Sequence, residues 1–215
     1  MHSHSKYHWD ALTHLCAYLA QTRDHGMYLK RSTSWQVGKS ICIAIADAGE
    51  LANSKSNSRS IIGNVLFVEG NIAAFRSKHT TGVTTDASHC ELIALYNATK
   101  LIKSIENLFI SMHPVLLSLP ITLYGDNLAS LWISRSKSNS TRTKHYNLKL
   151  HYIYEQITNE TIVTKHIGTV DCLADFLTKI QTPALFNTHR SYFVAENILE
   201  LKEFIPPTID KSDIS

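Results

Sequence analysis

Apolar residues recur at helical spacing near the start of the chain, where Trp9, Leu12, Leu15, Cys16 and Leu19 share one stripe and His25-Gly26 marks an exit. The stripe needs a partner, and little further along the chain supplies one, which suggests a neighbour upstream. From about Val37 to Ala46 the pattern changes to that of a strand. Ile41, Ile43 and Ile45 alternate with Cys42, Ala44 and Ala46, so both faces are apolar or small, as in a strand buried on two sides. The run stops at Asp47-Ala48-Gly49. A polar stretch, Asn53 to Ser60, leads into strands at Ile61–Val68 and Ile72–Arg76, and Glu69-Gly70-Asn71 between them predicts a hairpin. Val83 to Thr85 could extend this meander.

Leu92, Leu95, Tyr96, Thr99, Ile102 and Ile105 define one face of a helix over about Ser88 to Asn107, with Ser88 and Glu91 spaced as a capping box. Beyond Pro114 and Pro120 come a short strand, Ile121–Tyr124, ending at Asp126, and a short helix over Asn127–Ser134. A polar loop over Ser136–Thr143 precedes a helix over Lys144–Thr158, a β-rich run over Thr161–Ile167 and a helical segment over Cys172–Thr178. The remainder holds one weakly amphipathic helix and a polar, proline-containing tail. Three strands, a helix, a strand, helices, a strand and a helix predict an α/β fold, a mixed sheet with flanking helices.

Composition narrows this only slightly. The chain's 215 residues suit one domain with appendages, and the 44% hydrophobic content excludes a disordered chain. A net charge of +3 permits contact with a phosphate backbone without predicting it. Cys16, Cys42, Cys90 and Cys172 form no close pair and read as reduced, buried residues, and the twelve histidines lack metal-site spacing. No apolar run approaches a membrane span and the N-terminus is polar, so a soluble, intracellular protein is expected. Trp9, Trp35 and Trp132 read as core or interface residues.

Four acids stand where chemistry could gather. Asp47 and Asp126 close strands, Glu91 opens the long helix, and Asp175 lies on the last helical segment of the compact region. Acids so placed can converge on one edge of an α/β sheet, where they would repel one another unless cations sat between them. Oxygen ligands suit Mg²⁺ or Mn²⁺, and two such ions roughly 3.5–4 Å apart serve in-line attack of water on a phosphodiester. Plainer roles fit the same residues: Asp47 and Asp126 suit turns, and Glu91 suits a cap. Spacing alone leaves both readings open.

The wording of the chain goes further. Tyr7-His8-Trp9-Asp10-Ala11-Leu12, Tyr18-Leu19 and Thr22-Arg23-Asp24-His25-Gly26 resemble the helix that closes the reverse transcriptase of copia-type LTR-retrotransposon Pol polyproteins. Asp47-Ala48, Arg59-Ser60-Ile61-Ile62-Gly63, Ser77-Lys78, Cys90-Glu91-Leu92-Ile93-Ala94-Leu95 and Tyr124-Gly125-Asp126-Asn127 are similar to successive motifs of that family's RNase H segment. The closest stretches are Arg142-Thr143-Lys144-His145, followed by His151-Tyr152-Ile153 and Glu155, and Leu173-Ala174-Asp175-Phe176-Leu177-Thr178-Lys179. The resemblance covers about residues 7 to 190. Departures occur at His89, Gly49 and Phe75-Arg76, where the family has an acid, an aromatic and a Trp, and all four acids remain.

The resemblance implies the end of a reverse transcriptase over residues 1–30, an RNase H-like domain over 31–180 and a helix with a flexible tail over 181–215. It implies an RNase H-like mixed sheet of three antiparallel strands plus two further strands. Asp47, Glu91, Asp126 and Asp175 would then be catalytic ligands for two Mg²⁺ ions, with Mn²⁺ as a substitute, in an endonuclease cutting the RNA strand of RNA–DNA hybrids. Arg76, Lys78, Arg142, Lys144 and Lys179 are the expected phosphate contacts. His166 lies where cellular RNases H have a loop histidine, but the chain between it and Asp175 is shorter, so a surface role is expected. The expected partners are the hybrid and an upstream reverse transcriptase, with no membrane. The expected location is the cytoplasm or a virus-like particle, the nucleus also being open. The alternative is a degenerate, non-catalytic retroelement fragment that keeps the fold as a nucleic-acid-binding or connection module.

Overall fold

The computed structural model describes residues 5–30, 40–49, 59–81, 87–112, 117–136, 147–202 and 204. Among them, one sheet contains β1 (Cys42–Gly49), β2 (Ile61–Val68), β3 (Asn71–His79), β4 (Ile121–Gly125) and β5 (Ile162–His166), ordered β3-β2-β1-β4-β5. The first three strands are antiparallel neighbours; β4 runs parallel to β1, and β5 parallel to β4. Three antiparallel strands plus two further strands in one mixed sheet is the arrangement expected from the sequence. The helices are α1 (Lys6–Gln21), α2 (Ala87–Met112), α3 (Leu128–Arg135), α4 (Asn147–Thr158) and α5 (Pro183–Phe193).

The two-sided apolar character of β1 explains its central place. Cys42, Ala44, Ala46 and Ala48 join one core with Leu92, Leu95, Ala98 and Ile102 of α2 and Leu150 and Ile153 of α4. Small side chains on that face let the long helix lie close to the sheet. Ile43 and Ile45 join the opposite core with Val65, Phe67 and Tyr124, covered by Leu173, Ala174, Phe193 and Phe204. Asn64, buried in β2, donates from Nδ2 to the carbonyl of Ala94 at 3.0 Å and ties the sheet to α2. The β2–β3 turn places Glu69 at φ 52° and Gly70 at φ 72°, the left-handed pair of a tight hairpin. Glu69 is held there by Ile41, whose N–H donates to Oε1 at 2.7 Å and whose carbonyl accepts from the Glu69 N–H at 2.9 Å.

Several expectations shift. β1 continues through Asp47 because its pairing with β2 persists to Gly49 opposite Ile61. α2 begins at Ala87, so Ser88 lies inside the helix and not at its cap. Trp9 and Trp132 are exposed and contribute to no core, and Cys16 is exposed on α1, unlike the three buried cysteines. Leu201 and Phe204 are buried, with Phe204 stacked on Phe67 at 4.8 Å, so the segment after α5 is packed at least to that point. None of the residues of α1 is buried; Tyr18 meets Phe186 of α5 edge-on, and the predicted stripe faces solvent. Trp35 and the 83–85 run lie outside the described residues. Among the described residues no helix is long and apolar enough to cross a membrane.

Candidate functional site

The parallel register of β1 and β4 pairs Ala46 with Gly125, so the next residues, Asp47 and Asp126, emerge side by side at the carboxyl ends of the strands. Open α/β sheets form their sites at such ends. Glu91, on the first turns of α2, reaches the same place, and the nearby backbone N–H of Ala48 favours its charged form. Its carboxylate therefore faces the sheet edge and not its own helix end. Ligand oxygens of Asp47, Glu91 and Asp126 all lie within 4.8 Å of one another.

Asp175 arrives from the other side of β1. It sits on the 3-10 turn Leu173–Leu177, and its carboxylate, that of Asp47 and the Cys172 sulfur form a second group within 4.8 Å. Asp47 is common to both groups and is wholly buried. The close approach of this turn depends on two glycines. A Cβ on Gly49 would meet the carbonyl oxygen of Thr178 at 2.5 Å, and one on Gly63 would meet that of Ala174 at 2.7 Å. Thr178 donates its hydroxyl to Asp47 Oδ2, and Lys179 Nζ bridges Asp47 Oδ1 at 3.2 Å and Asp175 Oδ1 at 2.9 Å.

The electrostatics show a site short of positive charge. Burial, then repulsion from Asp47 and Asp126, pushes the Glu91 carboxyl up to about 9, against the pull of the Ala48 N–H and Lys179. Asp175 is pushed up to about 6, chiefly by burial, with its Lys179 hydrogen bond opposing. Burial and then Asp47 raise Asp126. Burial and the three neighbouring aspartates lift the Cys172 thiol well above its ordinary range, which disfavours the thiolate in the metal-free protein. The donors that remain are carboxylate oxygens, the set that hard divalent cations such as Mg²⁺ prefer, and one ammonium does not balance four carboxyls. The residues present therefore fit a divalent metal.

A pH dependence follows. Below pH 4.5 both the folded and the unfolded chain keep the Glu91 proton, so the site does not oppose folding. Between 4.5 and about 9 the unfolded chain releases that proton while the folded chain retains it, and stability falls as pH rises. In EDTA, the melting temperature is expected to fall from pH 5 to pH 9, and Glu91→Gln should flatten the slope. A slope equal in the two proteins would show that Glu91 does not carry it.

The remaining expected residues divide. Arg76 and Lys78 stand exposed on β3. Burial, then the charges of Arg76, Lys100 and Lys149, lowers Lys78, so these cations from β3, α2 and α4 lie near enough to repel one another. Arg142 and Lys144 lie outside the described residues. Lys179, grouped with the phosphate contacts by sequence, is instead bonded to two acids. His166 is exposed, with Nε2 at 3.1 Å from the carbonyl of Asp126. Sequence reasoning missed Thr178, the two glycines, Lys100 and Lys149. Thr178 and Lys179 were visible only as part of the motif around Asp175.

No family model matches the chain. Among curated proteins, it is 27% identical over 179 residues to the retrovirus-related Pol polyprotein from transposon RE2 of Arabidopsis thaliana, covering 83% of this chain and 12% of that protein. It is 25% identical over 191 residues to the corresponding polyprotein from transposon RE1 of the same plant, covering 89% and 13%. A third relative, from transposon TNT 1-94 of Nicotiana tabacum, is 22% identical over 184 residues, 81% of this chain and 12% of that protein. The chain thus spans about an eighth of the length of these relatives. Similar solved structures include an RNase H1 isolated from compost (21% identical, TM-score 0.44, 64% of this chain and 92% of that one). Another is a foamy viral protease-reverse transcriptase in complex with an RNA/DNA hybrid (18% identical, TM-score 0.48, 71% and 21%).

Proposed function

We propose that the chain, similar to the retrovirus-related Pol polyproteins of plant transposons and built on a five-stranded mixed sheet, is an RNase H-like, metal-dependent endonuclease for the RNA strand of RNA–DNA hybrids. One observation carries this reading: carboxyls from β1, α2, the end of β4 and the turn at 173–177 converge around Asp47. Four acids drawn from distant stretches into one buried cluster cost stability unless a ligand uses them.

Asp47, Glu91 and Asp126 would hold one Mg²⁺ ion, and Asp47 and Asp175 a second. Bound there, the ions supply an activated water and charge neutralisation at the leaving 3′ oxygen. The chain's own residues do the rest. The buried strand β1 fixes Asp47, the first turns of α2 carry Glu91 to it, and the glycine-backed turn sets Asp175 against the sheet. Arg76, Lys78, Lys100 and Lys149 supply a positive surface suited to a nucleic-acid backbone. The apolar face of α1, with Trp9, Leu12, Leu15 and Leu19 exposed, supports the reading of that helix as the end of a reverse transcriptase that packs against it.

The test is cleavage of a hybrid with labelled RNA, beside single-stranded RNA and duplex DNA. Cleavage of the hybrid alone with Mg²⁺, abolished by EDTA, is expected. Binding of the hybrid by well-folded protein with no Mg²⁺-dependent cleavage would leave the non-catalytic module in its place.

A further inference from the structure

The Lys179 ammonium lies inside the acid cluster, 3.2 Å from Asp47 Oδ1 and 2.9 Å from Asp175 Oδ1. With Thr178 donating to Asp47 Oδ2, both oxygens of Asp47 are engaged from the same short segment. The two groups of acids are thereby made unequal. Among the described residues, the Lys179 ion pairs are with Asp47 and Asp175 and not with Glu91 or Asp126, which form the other group with Asp47. The Asp47–Asp175 side is filled by a cation that belongs to the chain.

We propose that Lys179 is a resident counter-ion that keeps the Asp47–Asp175 side closed to metal and imposes an order of loading. The first divalent ion enters at Asp47, Glu91 and Asp126; the second must displace the ammonium. This rests on the two-ion reading of the site given above. Two carboxylates a few ångströms apart repel strongly in a partly buried setting, and a neighbouring cation relieves this. The ammonium does so in the metal-free protein, and a divalent ion does so more completely. The lysine can leave, because its side chain is 40% exposed and a flexible stem can turn the charge to water. Asp175 and Lys179 are one helical turn apart, so the contact needs no distant rearrangement to break. Lys179 is on this account a positioning residue that acts through Asp47 and Asp175.

The experiment counts Mn²⁺ ions and their affinities by calorimetry in the wild-type chain and in Lys179→Met, which keeps the aliphatic stem and loses the charge. Melting temperatures are read in EDTA and in saturating Mn²⁺. The wild type should bind one ion tightly and one weakly. Lys179→Met should bind the second ion at least about tenfold more tightly, melt lower in EDTA, and regain more on metal addition. Lys179→Arg, which retains the charge, should keep the wild-type asymmetry. Equal second-ion affinity in the wild type and Lys179→Met, or no Mn²⁺ binding by either folded protein, overturns the proposal. Hybrid cleavage is scored separately. Ordered binding without cleavage sinks the nuclease reading alone, and cleavage with unordered binding sinks only the role of Lys179.

Discussion

Asp126→Asn is expected to reduce Mg²⁺-dependent hybrid cleavage by about a thousandfold or more while making the metal-free protein more resistant to heat. The two effects have one cause. Asp126 sits at the end of β4, only part-buried, and its carboxylate raises the Glu91 pKa through repulsion. An amide of the same shape removes that repulsion and leaves the sheet intact, so folding in EDTA is favoured. The same change takes a negative oxygen from the group formed with Asp47 and Glu91, and groups that act as a unit lose nearly all activity when one member goes. The check pairs a cleavage assay with thermal melts at pH 8 in EDTA and in Mg²⁺. The wild type should gain more from Mg²⁺ than the variant. A variant that still cleaves within tenfold of wild type would remove Asp126 from the site.

Much of this architecture could be read from side-chain pattern. The doubly apolar run from Ile41 to Ala46 placed β1 at the centre of a sheet, and its alternation put Asp47 on the face opposite Ala46 and Ala48. The hairpin was legible because Gly70-Asn71 stands in a short connection between apolar runs, and Glu69 and Gly70 take up its left-handed turn. The four acids were singled out by position, but their convergence depends on strand register, and register is set by long-range pairing that no local pattern encodes. The parallel match of Ala46 with Gly125 is such a fact. Glu91 shows the same limit. A capping box and a ligand look alike in sequence, and the Asp47 and Asp126 carboxylates that distinguish them come from distant stretches of the chain. Lys179 was read as a phosphate contact, and its pairing with Asp47, 132 residues away, is not encoded in any local pattern.

Glycine was the least legible signal. Gly49 stood out in sequence only as a departure from a family pattern, and Gly63 as part of a strand entry. Both are close-approach positions for the segment that carries Asp175. Gly63→Ala is therefore expected to destabilise the fold by about 1–3 kcal/mol. The added methyl would meet the Ala174 carbonyl oxygen at 2.7 Å and Thr178 Cγ2 at 2.7 Å. The backbone oxygen cannot rotate away, so the turn must move off the sheet, carrying Asp175 and Thr178 from Asp47. Displacement of a catalytic group by about 1 Å can cost roughly a hundredfold in rate, and a loss of that order in hybrid cleavage is expected. Gly125→Ala is the matched control. It also adds a methyl to a strand, beside Asp126, but its nearest contact is a flexible Leu95 side chain at 3.4 Å. Denaturant melts should show Gly125→Ala close to wild type, within about 0.5 kcal/mol, and Gly63→Ala clearly below it. Equal stability and equal cleavage in the two variants would mean that the turn does not rest on the bare backbone of β2, and the placement of Asp175 would need another explanation.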